Sequence, residues 1–517
     1  MNMDETIIIK NADIWTMDSS ARADWIVLQG EKILALGQGN GYDRYLMEGA
    51  EVIDGQGRTV LPGFIDSHFH VAATAMSADW ISLDGVKNFE EMGERIRKAA
   101  EERKGGLLIA NLLDSQKLEE KRLPDRTVLD RYCSDRPLAV YTVDGHVIIL
   151  NTYGILYLKV PFSLKGVELD EQSMPTGRFM DRCQVRLDTK ITGAFAEHDV
   201  KRGMEIILPQ MLADGLTAVA AMEGGNMGDG CNKGHESEFV YNHAKEYPVD
   251  MELYIQTMDI DYVKQRNLCC IGGTLYVDGT IMARTAAVKE PYADAPGRRG
   301  ILSLEREELK EFVAACWAQN MQVSLDAIGD EAIQISLDAV EYARNLWGEK
   351  DLRCRIEHAQ MITEEQIARA AELKVILSMQ PAFAGIWQQP GGLYEQRLGG
   401  AKYRKLNPYR KILDGGVLIC GGSDCNVTDM NPMVGIHWAV NHPVKEYAVT
   451  LEEAVRMYTV NGAYALFREK EIGSLAAGMQ ADVVILDRNL GEVDADCIKD
   501  VKVDTTIKAG KILFRRR

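Results

Sequence analysis

Two of the nine histidines in this 517-residue chain, His68 and His70, stand two positions apart in LPGFIDSHFH. In extended backbone, residues i and i+2 point to the same side, so both imidazoles can address one point in space. Further along, RIEHAQ ends an apolar run with His358, and LICGGSD ends another with Asp424, in a Gly-Gly-Ser turn that lets backbone approach a ligand closely. Imidazole nitrogens and a carboxylate suit zinc or a similar divalent ion with one position left open for water. The chemistry implied is hydrolysis by a water whose pKa a metal has lowered.

Such residues act together only if a scaffold brings them to one place. Between about residues 61 and 469, apolar runs ending in polar residues alternate with helical periodicity, the mark of βα units around a parallel sheet. Eight strand candidates stand out: Phe64 to His68, Thr217 to Met222, Glu252 to Gln256, Thr274 to Asp278, Gln322 to Asp326, Arg355 to His358, Val375 to Met379 and Leu418 to Gly422. Eight predicts an α/β chain built on a (β/α)8 TIM barrel, whose chemistry sits at the C-terminal strand ends. Residues 1–60 and 470–517 share another texture, short alternating runs cut by Gly and Asp-Gly turns, which predicts a small β-sandwich domain formed from both termini. Residues at about 80–200 carry strand candidates of their own, LLIANLL and LAVYTV, and read as an insertion in the barrel.

Bulk properties narrow the function. The formal net charge of −18 argues against nucleic-acid binding, which needs clustered Lys and Arg, and the tail Arg515-Arg516-Arg517 is too short to reverse it. No apolar window approaches the ~20 residues a membrane span requires. The start MNMDETIIIK lacks the layout of a secretory signal, and the ten cysteines show no zinc-ribbon or disulfide-framework spacing. These features predict a cytoplasmic protein with reduced thiols and a small-molecule substrate, a homodimer being the candidate assembly.

In order and extent, the motifs resemble the amidohydrolase superfamily, within it the branch that contains N-substituted formamide deformylases. The likeness runs through LPGFIDSHFH, DGHVIILNTYGI, VDGTIMARTAAVKEPYAD, AIGDEAI, RIEHAQ, SMQPAF, GGSDCNV and GSLAAGMQADVVILD, nearly the whole chain. It implies metal ligands at His68, His70, His358 and Asp424, with Asp424 also accepting the proton of the attacking water; in the mechanism we expect from these residues, His358 together with the metal stabilises the oxyanion. Two positions depart from the branch: where it has a carboxylatable lysine four residues before Asp-Gly this chain has Thr274, and where its fifth strand ends in histidine this chain has Asp326. Threonine cannot bridge two metals. One ion held by His68, His70, Asp326 and Asp424 is chemically sound, since carboxylate oxygen binds zinc, manganese and iron. Two ions joined by Glu223, at the end of LTAVAAME, are the alternative. The resemblance also places Asp278, Asp144 and His146 near the mouth of the site as substrate-orienting residues, with Asp278 equally suited to a turn with Gly279; Arg284, Tyr292, Gln380 and Trp387 are weaker candidates for substrate contact. The expected activity is metal-dependent cleavage of an amide, formamide or cyclic amide C–N bond. Ester hydrolysis, ring opening or decarboxylation on the same barrel is the alternative enzyme reading, and a ligand-binding relative without catalysis is the other.

Overall fold

A computed structural model describes residues 6–18, 22–103, 106–115, 117–142, 147–164, 166–192, 197–224 and 234–517. Asp144 and His146 lie outside them. Eight parallel strands form one sheet in sequence order: β1 (Phe64–Phe69), β2 (Leu216–Glu223), β3 (Asp250–Ile255), β4 (Cys270–Ile271), β5 (Gln322–Ala327), β6 (Arg355–His358), β7 (Ile376–Met379) and β8 (Ile419–Gly421). β1, β2, β5, β6, β7 and β8 are buried throughout, as expected of parallel strands covered on both faces. The sheet closes just beyond β8, where the Asp424 N–H donates to the His68 carbonyl (2.8 Å) and the His70 N–H to the Cys425 carbonyl (2.9 Å). The chain is an α/β protein with the expected barrel.

The fourth strand departs from expectation. Its ladder pairing is confined to Cys270–Ile271, and Thr274 to Asp278 is a continuation past Gly272 and Gly273, which take φ of +106° and +51°. A Cβ on Gly272 would stand 2.1 Å from the Ser324 carbonyl oxygen, so only glycine lets the strand pass β5 there. Beyond the break the segment rejoins β5 through Val277 N–H to Asp326 O (2.9 Å) and Asp326 N–H to Leu275 O (3.1 Å).

Segments from both termini make two further sheets. One orders Lys32–Gly37, Trp25–Gln29, Thr6–Lys10 and Glu51–Asp54; the other orders Lys511–Arg515, Val503–Lys508, Val483–Leu486, Thr59–Pro62, Asp13–Trp15 and Arg22–Ala23. Ile7, Ile9, Ile26 and Leu28 of the first share a core with Ile14, Val60, Val483, Ile485 and Ile507 of the second, which makes the predicted sandwich. The described residues between 75 and 206 form a separate compact unit. Its sheet orders Val167–Leu169, Pro175–Met180, Val147–Leu150, Leu138–Thr142, Leu108–Leu113 and Ile81–Ser82. Among the described residues no helix is long and apolar enough to cross a membrane.

Candidate metal centre

Alternation along β1 sends Asp66, His68 and His70 the same way, and each is fixed by a different partner. Asp66 accepts from the His68 N–H (3.0 Å) and the Ser423 N–H (3.1 Å), tying β1 to the turn that carries Asp424. Burial pushes its carboxyl up to about 7. His70 Nδ1 lies 2.7 Å from the Met222 carbonyl oxygen. A carbonyl can only accept, so Nδ1 carries the proton and Nε2 faces the Asp424 carboxylate at 2.9 Å. His68 Nδ1 lies 2.8 Å from Glu357 Oε2, leaving Nε2 buried with no hydrogen-bond partner, 3.5 Å from Asp424 Oδ1. An orphaned buried nitrogen beside carboxylates fits a metal ligand.

His358 and Asp424 complete the cluster from β6 and the turn after β8. Both take left-handed backbone, with φ of +66° and +56°. Such residues cost about 1–3 kcal/mol each and are kept where side-chain aim matters. His358 Nε2 is 3.3 Å from Asp326 Oδ2 on β5, its Nδ1 is buried without a partner, and its ring stacks on Phe383 at 5.7 Å. Two groups of donor atoms therefore lie within 4.8 Å of one another: His68, His70 and Asp424, and His68, Asp326 and His358. The His/Asp donor set fits a divalent cation.

The charges of the cluster lean on each other. Burial disfavours the imidazolium of His70, but hydrogen bonding and attraction from Asp424 prevail and raise it to about 9. His358 behaves alike: burial opposes its charge, and Asp326 and Asp424 lift it to about 9. Burial disfavours the Asp424 carboxylate, and the surrounding His68, His70 and His358 hold its pKa below the usual value.

Beneath His68 lies a network that sequence reading missed. Arg355 donates to Glu357 from Nε (2.5 Å) and Nη2 (3.0 Å), and Ser324 Oγ donates to Glu357 Oε1 (2.6 Å). Arg355 also reaches the Ser67 carbonyl, Ser378 Oγ (2.8 Å) and Tyr254 Oη (3.4 Å). Burial would raise the Glu357 carboxyl, but Arg355 and His68 outweigh it and keep the pKa well below the carboxylate range. The available signal was Arg355 and Glu357 at i and i+2 in a short apolar strand, where two charges on one face call for a pairing. Tyr276 was missed too. It is 46 % exposed as a residue, yet desolvation around its hydroxyl, together with the field of Asp326, Asp424 and Glu236, raises its pKa.

The remaining expected residues are placed differently. Glu223 is buried and accepts from Val71 N–H (2.7 Å) and Ala72 N–H (3.4 Å) at the start of the helix Val71–Ala78, outside both donor groups. Burial and the nearby Glu236 push it up to about 8. Asp278 is fully engaged by the N–H groups of Ala287 (2.7 Å), Gly329 (2.8 Å) and Ile328 (3.0 Å), so it anchors a loop, a role beyond the simple Asp-Gly turn. Arg284 is paired with Asp294 through two bonds of 2.9 and 2.7 Å, and Tyr292 donates to the Ala286 carbonyl at 2.9 Å. Gln380 is buried with Oε1 unpartnered. Trp387 packs edge-on against Phe383 at 4.6 Å.

Barrel, sandwich and donor set together define an amidohydrolase: the Amidohydrolase family profile matches residues 51–514, and the chain belongs to that family. It is similar to YtcJ of Bacillus subtilis (strain 168), at 26% identity over 92% of each chain. It is likewise similar to the N-substituted formamide deformylase of Arthrobacter pascens, at 24% identity over 99% of this chain and 98% of that one. Among solved structures, an uncharacterized metal-dependent hydrolase from Pyrococcus furiosus matches with a TM-score of 0.81 and 27% identity, covering 95% of this chain and 100% of that one.

Proposed function

We propose that this chain hydrolyses a C–N bond of a small molecule, an amide, formamide or cyclic amide, using one divalent cation, zinc being the first candidate. The observation that carries the reading is that both donor groups share His68, whose Nδ1 is taken by Glu357. One remaining lone pair serves one cation. His68, His70 and Asp424 hold it, with Asp326 as the fourth donor; Thr274 offers no bridge to a second, and Glu223 is turned to the helix start. When bound, the cation supplies Lewis acidity and a water ionised near neutral pH.

The protein's own groups do the rest. Asp424, turned toward His68 and His70, takes the proton from the attacking water and delivers it to the leaving nitrogen. His358, held against Phe383, donates to the oxygen on which negative charge develops. Gln380, with its amide oxygen free, orients a substrate N–H. The side chain of His70 keeps 19% of its surface open against 0–8% for His68 and Asp424, so substrate enters from the His70 side. Similarity to a formamide deformylase supports the C–N class.

Protein purified after growth with zinc, manganese or iron should carry one equivalent of metal, and His68→Ala with His70→Ala should remove it along with turnover of a panel of N-formyl, N-acyl and cyclic amides. Full metal content in the double variant would overturn the ligand assignment, and turnover of esters alone would overturn the C–N class.

A further inference from the structure

Cys269 and Cys270 stand at the entry to β4, the end of the barrel opposite the histidines, and neither takes part in the chemistry above. Their sulfurs are 3.8 Å apart; Cys269 is exposed and Cys270 partly so. The Cys269 carbonyl accepts from the Gln322 N–H (2.9 Å), which holds the pair at the edge of the β4–β5 ladder. Among the other described cysteines only Cys497 is exposed; Cys133, Cys183, Cys316, Cys354, Cys420 and Cys425 are buried.

What two such sulfurs can hold follows from distances. A disulfide needs them about 2.05 Å apart on Cα atoms about 4.4–6.8 Å apart, whereas neighbouring Cα atoms are fixed at about 3.8 Å. The closed disulfide is therefore strained. Two sulfurs each about 2.3 Å from one pyramidal soft centre, with a bond angle near a right angle, stand about 3.3 Å apart, so sulfurs already in contact at 3.8 Å need approach by only a few tenths of an ångström to share it. Among the described residues no third metal-ligating side chain joins them, so a closed four-ligand zinc site is not built. The occupant must need only two thiolates and bring its remaining substituent itself.

We propose that Cys269 and Cys270 form a dithiol site for a soft, thiophilic centre of this kind, the chemical class being a monosubstituted trivalent arsenical. In the reaction R–As=O plus two Cys–SH gives R–As(S–Cys)2 plus water. The two arsenic–oxygen bonds are replaced by two arsenic–sulfur bonds, both thiol protons leave with the oxygen, and arsenic stays trivalent. Cys269, the more exposed of the two, begins the attack, with the neighbouring Cys270 sulfur in contact to complete it.

The test exposes the folded, full-length protein to phenylarsine oxide and measures intact mass under native conditions. The wild type should gain one arsenical less one water, lose it to a competing dithiol and keep it in excess monothiol. Joining two attachment points tightens binding about 100-fold or more, so Cys269→Ser and Cys270→Ser should each weaken capture by that factor. Cys269 is exposed, so Cys269→Ser carries the test alone if Cys270→Ser fails to fold. Undiminished capture in Cys269→Ser, or none in the native wild type, would overturn the proposal.

Discussion

Glu223 and Glu357 end or nearly end two strands of one barrel, and both are completely buried, yet they carry opposite character. Glu223 meets backbone N–H groups and another carboxylate, and its pKa climbs to about 8. Glu357 meets Arg355, Ser324 and His68 and stays ionised. Burial alone therefore does not decide the charge of a carboxylate; the partner does. One barrel end keeps a proton where a helix begins, and another keeps a negative charge where a histidine must hold its own proton on Nδ1. The second arrangement fixes the tautomer of His68, and a carboxylate so placed raises the basicity of an imidazole that ligates a metal.

Three substitutions probe this contrast. The largest effect is expected from Arg355→Met, which strips Glu357 of its cation: breaking a buried pair on one side costs about 3–5 kcal/mol, read as a lower denaturation midpoint. Arg355→Met with Glu357→Gln should be less damaged than Arg355→Met alone; equal damage would mean that Arg355 matters only as packing. Next comes Glu357→Gln, which can still accept from His68 but lacks the charge. Metal affinity by chelator competition should fall about 10–100-fold with folding intact, and unchanged affinity would show that the charge is irrelevant to the site.

Glu223→Gln should be the mildest at acid pH, where the native side chain is protonated. Its folded pKa of about 8 lies above the usual 4.5, so the stability it contributes is complete below about 4.5 and is lost as pH rises toward 8. The variant should show a flatter decline of stability with pH over that window, gaining on the wild type as pH rises. Parallel pH profiles would place the proton elsewhere.

Much of this architecture was legible in the sequence. Eight apolar runs announced the barrel, and the convergence of His68, His70, His358 and Asp424 followed from their places at strand ends, because histidine occurs only nine times here and three of those stand at such ends. The fourth strand was misjudged because VDG reads as a strand end, whereas the break is made earlier by Gly272 and Gly273, whose purpose shows only when Ser324 is alongside. Glu357 and Arg355 escaped notice because strand patterns mark burial and not which charges meet. Glu223 looked like a ligand from its position at a strand end; its aim depends on the helix at Val71, a packing fact that periodicity does not contain.

The barrel's seam has a consequence of its own. Its last bonds join Asp424 to His68 and Cys425 to His70, and Asp66 grips Ser423 across 357 positions of chain. A cation held by His68, His70 and Asp424 would thus also be a cross-link across a comparable span of chain, and a constraint on a long loop takes more freedom from an unfolded chain than one on a short loop. The same atoms that perform the reaction would then act as a clasp, and removing the ion would loosen the ring of strands as well as stop the chemistry.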